Sequence, residues 1–194
     1  RSIVPFLLVG IGQAYVCITG NIDLSIGSVL GMSAMISATM MCKGFSPVVA
    51  VIVTFVCCMA VGLLNGILVG KFKLPPFIGT LGTMTIARGI AQLANNNYNT
   101  DNIGSEGAAQ MFKDVLYYGK TLGIFNGVWI ALIVWFIFFY ILTYTRSGRH
   151  IYAIGSNVDA ARLSGVDVFM ATTKAYMVSA FCAFLTGLIT MAQS

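Results

Sequence analysis

Charge is what this sequence has least of. Lys, Arg, Asp and Glu together supply 9% of its 194 residues, hydrophobic residues supply 58%, and the mean hydropathy is +0.88. A soluble domain carries about a quarter of its residues as charges, so that class is excluded. There are six acidic residues and one histidine, His150. So few groups leave no paired catalytic constellation and no metal cluster, and His150, beside Arg149 without a second ligand nearby, is assigned no role. Cys17, Cys42, Cys57, Cys58 and Cys182 lie in or at the ends of apolar runs. They have neither metal-ligand spacing nor the loop framework of a disulfide scaffold, and read as small apolar side chains. A phosphate loop is also missing. Gly66-Ile67-Leu68-Val69-Gly70-Lys71-Phe72 has the wrong glycine spacing, and Phe72 stands where Ser or Thr must hold Mg²⁺.

What fills the sequence instead is long apolar runs. Roughly 20 such residues in a helix cross the hydrocarbon core of a bilayer. Six spans can be drawn: Ser2–Thr19, Leu24–Cys42, Ser46–Gly70, Pro76–Ala94, Ile124–Thr145 and Ala175–Ala192. The expected fold class is an all-α, polytopic transmembrane helical bundle; the alternation of a β-barrel is absent. The net charge of +5 lies between spans and reads as topology rather than nucleic-acid affinity. Placing Lys71 and Lys73 in the cytoplasm also puts Arg146, Arg149, Arg162 and Lys174 there and leaves Arg1, Lys43, Lys113 and Lys120 outside. The sequence opens on Arg1 rather than Met, and its last span runs to the end. The expectation is one truncated transmembrane domain over residues 1–194.

Polar residues at membrane depth are costly unless they face protein or water, so each interruption is informative. Thr19–Ser28 reads either as a tight turn in which Asn21 or Asp23 caps the next helix, or as a broken or re-entrant helix lining a path. Gly27 and Gly31 are four apart, as are Gly62, Gly66 and Gly70, which predicts helix-packing seams. Asn65 reads as a hydrogen-bonding link between helices or a contact to a hydroxylated ligand. Pro75-Pro76 forces a non-helical start before Phe77-Ile78-Gly79-Thr80-Leu81-Gly82-Thr83, and Arg88 further along must face a partner, a polar cavity or the outer surface.

Two loops stand out. Residues 95–123 form an outer loop with an Asn-rich start (Asn95, Asn96, Asn97, Asn99, Asn102). Ala108, Met111, Phe112, Val115 and Leu116 then recur at helical spacing between Ser105 and Gly119. This predicts a short amphipathic surface helix, with Tyr117 and Tyr118 at headgroup level, that anchors to lipid or receives a soluble partner. Residues 146–174 form an inner loop. Within it Asn157 is an N-cap, Asp159 lies in the first turn, Arg162 lies near the end and Gly165 closes a short helix. Its small apolar positions Val158, Ala160, Ala161 and Leu163 suit a partner's groove, whereas a loop held only by lipid headgroups would need no such caps.

Gly148-Arg149-x-Ile151-Tyr152-Ala153-Ile154-Gly155-x-Asn157-x-x-Ala160-Ala161-Arg162-Leu163-Ser164-Gly165-Val166 resembles the cytoplasmic loop of permease subunits of bacterial ABC importers for monosaccharides such as ribose and galactose. Gly20-Asn21-Ile22-Asp23-Leu24-Ser25-Ile26-Gly27-Ser28 and Pro76-Phe77-Ile78-Gly79-Thr80-Leu81-Gly82-Thr83, followed by Arg88-Gly89, resemble the same family; Asn21 after Gly20 is a small departure. The resemblance implies a multi-pass protein of the bacterial cytoplasmic membrane that provides a sugar path and has no ATPase site of its own. It implies a coupling helix docked on a separate ATP-binding subunit, with candidate contacts Asn157, Asp159, Ala160, Ala161, Arg162, Leu163, Ser164 and Gly165. Candidate path residues are Asn21, Asp23, Ser25, Asn65, Phe77, Thr80, Thr83 and Arg88. It further implies a second permease copy and an extracytoplasmic sugar-binding protein, with ATP and Mg²⁺ held by the partner subunit and no cofactor of the chain's own. The alternative is an ion-gradient-driven secondary transporter or channel, for which Asp23 and Arg88 would be the only intramembrane ionisable candidates.

Overall fold

The computed structural model describes residues 3–95, 107–121 and 123–193. Arg1, Ser2, the Asn-rich start beyond Asn95, and Ser105 therefore lie outside the described residues. The helices in order are α1 (Ile3–Ile18), α2 (Ile26–Cys42), α3 (Pro47–Gly66), α4 (Pro76–Ala94), α5 (Gly107–Lys113), α6 (Asn126–Tyr144), α7 (Arg146–Ser156), α8 (Val158–Leu163) and α9 (Val168–Gln193). Wider π turns extend α3 over Ile67–Lys71 and α5 over Asp114–Tyr118. A small antiparallel hairpin, β1 (Lys120–Thr121) against β2 (Ile124–Phe125), precedes α6.

Helix starts follow local chemistry. Ser46 Oγ accepts from Val49 N (3.4 Å) with Pro47 at the first helical position, and α4 opens on Pro76 behind an extended Pro75. Among the described residues three helices, Pro47–Lys71, Asn126–Tyr144 and Val168–Gln193, are long and apolar enough to cross a membrane. α1 and α2 are apolar but shorter, at 16 and 17 residues. α4 is longer, at 19 residues, but Thr80, Thr83, Thr85, Arg88 and Gln92 dilute its apolar character. The architecture is a polytopic helical bundle with one two-stranded hairpin.

α9 is its axis. Of its most apolar window 72% is buried, against 11% for α6, and it packs on α1, α2 and α3. Glycine makes that approach possible. A Cβ on Gly62 would lie 2.6 Å from Ala180 Cβ, one on Gly66 would lie 2.8 Å from Thr173 Cα, and one on Gly70 would lie 3.1 Å from the Phe169 ring. Gly12 of α1 meets Ser179 and Cys182 in the same manner, and on α9 itself Gly187 meets Ser33 of α2. The seam expected at Gly27 and Gly31 is not made within the chain, because a Cβ at either would meet nothing within 4 Å.

Two further expectations need correction. Residues 146–174 are not mainly loop. α7 is an amphipathic helix with Gly148, Ile151 and Ile154 buried and Arg146, Arg149 and Tyr152 exposed, and α9 begins at Val168 rather than Ala175. The missed signals are Thr145, whose hydroxyl caps Gly148 N, and Asp167, whose Oδ1 accepts from Met170 N (2.9 Å). In the outer helix the apolar face expected at the membrane surface is divided: Phe112 and Leu116 pack on the bundle core, while Met111 and Val115 stay exposed. Tyr117, expected at the surface, is buried among Val4, Leu8 and Ala131. The cause is the π turn: Gly119 N bonds to Asp114 O (2.7 Å), five residues back, and this widened turn shifts the inward face away from the 3.6-residue register.

The seam yields a paired test. Gly66→Val should destabilise the bundle by about 1–3 kcal/mol, because its added carbons strike backbone rather than a flexible side chain. Gly27→Ala should leave the thermal unfolding midpoint in detergent unchanged; an equal loss in both variants would contradict the seam.

Candidate functional site

α8 lies at the end of the bundle where three short segments converge. Asn157, extended at φ −163°, accepts from Ala160 N through Oδ1 (2.9 Å). After the helix, Gly165 adopts φ +80°, and Val166 N donates back to Ala161 O (3.0 Å). Among the described residues the one ion pair joins Arg162 Nη1 to Asp159 Oδ1 (3.6 Å) on the solvent side of this helix. Ala161 is not on that side. It is buried with Ile154 and Ala171 and holds α8 against α7 and α9, so the small-residue face expected to meet a partner is divided. Val158, Asp159, Ala160, Arg162, Leu163 and Ser164 remain exposed, Leu163 at 90%.

Beside α8 is a cavity of about 970 Å³. Thr19, Gly20 and Asn21 of the α1–α2 turn line it together with Gly70 and Lys73, Ser156 to Asp159, Arg162 and Thr172. Asn21 caps no helix; its Nδ2 donates to Thr19 Oγ1 (2.8 Å).

Four of the candidate path residues converge in the interior on one hydrogen-bonded chain. Thr83 Oγ1 of α4 donates to Asn65 Oδ1 of α3 (2.6 Å), and Asn65 Nδ2 donates to Ser25 Oγ (2.9 Å). Ser25 Oγ and N both donate to Asp23 Oδ1 (2.6 and 2.9 Å). From the other side Ser179 Oγ of α9 donates to Asp23 Oδ2 (2.6 Å). Asp23 therefore joins the turn ahead of α2 to α9; the N-cap position of α2 is Ser25, and no side chain caps that helix. Asp23, Ser25, Asn65, Thr83 and Ser179 are all buried, so in this structure they line no open path. Ser179 is the member that sequence reading missed. Its only signal is a hydroxyl within an apolar span, which Thr186 and Thr190 also provide while bonding only to their own helix.

The remaining candidates separate. Thr80 is buried and returns its hydroxyl to Pro76 O (2.7 Å). Phe77 is exposed at the surface. Arg88 lines a groove of about 290 Å³ between α2 and α4 with Leu24, Gly27, Ser28, Gly31, Met84 and Ala91. The unpacked glycines and the charged residue of α4 thus share one surface.

Residues 1–194 match the family described as a branched-chain amino acid transport system / permease component. The chain belongs to this permease family. It is 33% identical over 186 residues to the ribose import permease protein RbsC of Escherichia coli K12, covering 96% of this chain and 57% of that protein. It is 35% identical over 188 residues to the D-allose transport system permease protein AlsC of the same strain, covering 96% and 56%. It is 33% identical over 187 residues to the autoinducer 2 import system permease protein LsrC of Salmonella paratyphi B, covering 96% and 52%. The chain thus spans little more than half the length of these relatives. No solved structure matches it. As a permease-family member with membrane-length apolar helices, it is an integral membrane protein.

The cap gives this permease domain a local test. Asn157→Ala should destabilise α8 by about 1 kcal/mol, seen as roughly fivefold faster amide exchange at Ala160 and Ala161, while Asn157→Asp keeps the acceptor and the protection. Unaltered exchange in the alanine variant would show that the cap does not hold the helix.

Proposed function

We propose that this chain is the membrane-spanning part of an ATP-driven importer for a monosaccharide-sized, hydroxyl-rich solute, and that α8 is its contact to a separate ATP-binding subunit. The observation that carries this reading is the exposed, double-capped α8, anchored through Ala161 and presenting Leu163 to solvent. Leu163, with Val158 at the other end of the helix, gives a short, otherwise small and polar helix the apolar contacts that a partner's groove can take. The named functions of the relatives, ribose import, D-allose transport and autoinducer 2 import, support a small polyhydroxylated cargo.

On this reading the chain performs no covalent chemistry. ATP and Mg²⁺ belong to the partner, and the permease domain converts the partner's closure into rigid-body movement of helices. Lys73 and Arg162 around the cavity beside α8 mark the cytoplasmic end, in keeping with the positive-inside bias. The protein sits in the bacterial cytoplasmic membrane, where a second permease copy completes the path and an extracytoplasmic sugar-binding protein delivers the cargo. Arg88 and Ser28, in a groove that lipid would not solvate, are the path-lining candidates of this reading.

ATP-dependent uptake of labelled ribose and allose into proteoliposomes holding the complete complex tests the assignment. Leu163→Asp should weaken docking by about 2 kcal/mol, roughly thirtyfold, and abolish uptake with normal amounts of permease in the membrane. Uptake that continues without the ATP-binding subunit and collapses with an ionophore would identify a gradient-driven carrier instead.

A further inference from the structure

The buried chain from Thr83 to Ser179 has no part in the docking surface or in the α2–α4 groove, yet it lies between them. We propose that Asp23 is a positioning residue for transport: it fastens α9 to the α1–α2 turn and, through Ser25 and Asn65, to α4, so that displacement of α8 reaches the helix carrying Arg88. This rests on the reading in which α8 receives the movement driven by ATP.

The mechanical link starts at α8. Only residues 164–167 separate it from α9, and they are held at both ends, by Val166 N to Ala161 O and by Asp167 Oδ1 to Met170 N. Ala161 shares one buried cluster with Ile154 and with Ala171, in the first turns of α9. A shift of α8 is therefore a shift of α9. Ser179 lies eleven residues beyond Val168 on the same helix, about 17 Å along the axis at ~1.5 Å per residue. There α9 meets the turn at two points: Ser179 Oγ reaches Asp23 Oδ2, and Tyr176 OH, three residues earlier and on the same face, donates to Ile22 O (3.1 Å).

The chemistry of the link is directional. A carboxylate only accepts hydrogen bonds, and this one takes three, two from Ser25 and one from Ser179. Ser25 can direct its hydroxyl hydrogen at Asp23 because Asn65 Nδ2 supplies the hydrogen to its lone pair, and Asn65 Oδ1 in turn accepts from Thr83. Every donor from α4 inward points towards Asp23, whose charge strengthens the bonds it accepts directly. Apolar helix contacts can slide in many registers, whereas two bonds one turn apart, Ser179 to Asp23 and Tyr176 to Ile22 O, fix α9 against the turn, and the two bonds from Ser25 hold the carboxylate in place to receive it. Stability alone would not call for a carboxylate here, since a buried charge is expensive where shape-matched apolar side chains serve as well.

The complete complex in proteoliposomes, assayed for ATP hydrolysis and sugar uptake together, tests the inference. Asp23→Ala and Ser179→Ala should keep hydrolysis near the wild-type rate and raise ATP consumed per sugar imported about tenfold, within the ~5–150-fold range of coupling between sites. Asp23→Asn keeps an acceptor for Ser25 and offers an amide to the Ser179 hydroxyl, so it should recover part of the loss. If Asp23→Ala does not assemble, Ser179→Ala decides, because it removes only the distal donor. Spin labels at the exposed Met170 and Leu93, with native cysteines replaced, give a second readout: the nucleotide-dependent change in their separation should shrink in both alanine variants. Hydrolysis and uptake falling by the same factor, or an unchanged ATP-to-sugar ratio, would overturn the positioning role. A wild-type complex without ATP-dependent uptake would overturn the importer reading, and this inference with it.

Discussion

The close approach of α9 to α3, α1 and α2 is the constraint on which the rest of this structure depends. Between helices in lipid there is no hydrophobic driving force comparable to that in water, so fit and hydrogen bonding decide which helices meet. Gly62, Gly66 and Gly70 let α9 lie on the α3 backbone, and Gly12 does the same for α1. Only at that separation can Ser179 reach Asp23 and Tyr176 reach Ile22. The glycines and the polar chain are parts of one arrangement: the first sets distance, the second sets register.

That dependence explains which features were legible in the sequence. The capped α8 was readable because its determinants are local, with Asn157, Asp159, Arg162 and Gly165 all within one short helix and its ends. The Gly62–Gly66–Gly70 face was readable from its spacing. The partner of each face was not, because the same four-residue spacing at Gly27 and Gly31 borders an open groove. Spacing records that a surface is smooth; it does not record what lies on it. α7 was hidden for a related reason. Its glycines lower helix propensity, but Gly148 is set tightly against Leu142 O and Gly155 against Ile18 O, so tertiary contact stabilises what local preference disfavours.

Asp23, Ser25, Asn65 and Thr83 show how far residue type alone can carry an assignment. Polar groups at membrane depth must face water, a ligand or one another, and sequence cannot distinguish these. The structure brings them together, through side chains separated by up to 156 positions. Arg88 differs because it has no comparable enclosure and lies beside Ser28 and two bare glycines. One polar set is therefore internal to the bundle, while the other is presented at its surface.

The division within α8 follows the same logic. A helix of six residues has little stability of its own, so it must be held by its chain if it is to transmit force rather than merely bind. Ala161, buried with Ile154 and Ala171, supplies the hold, and in the proposed docking Leu163, largely free of the chain, is the contact. Were both turned outward, a partner could pull the helix without moving α9. Were both turned inward, Val158 alone would remain as a large apolar side chain to grip. In the proposed docking the split lets one short helix both grip a partner and move α9, and the buried polar chain beginning at Ser179 is what would carry that motion to the turn ahead of α2.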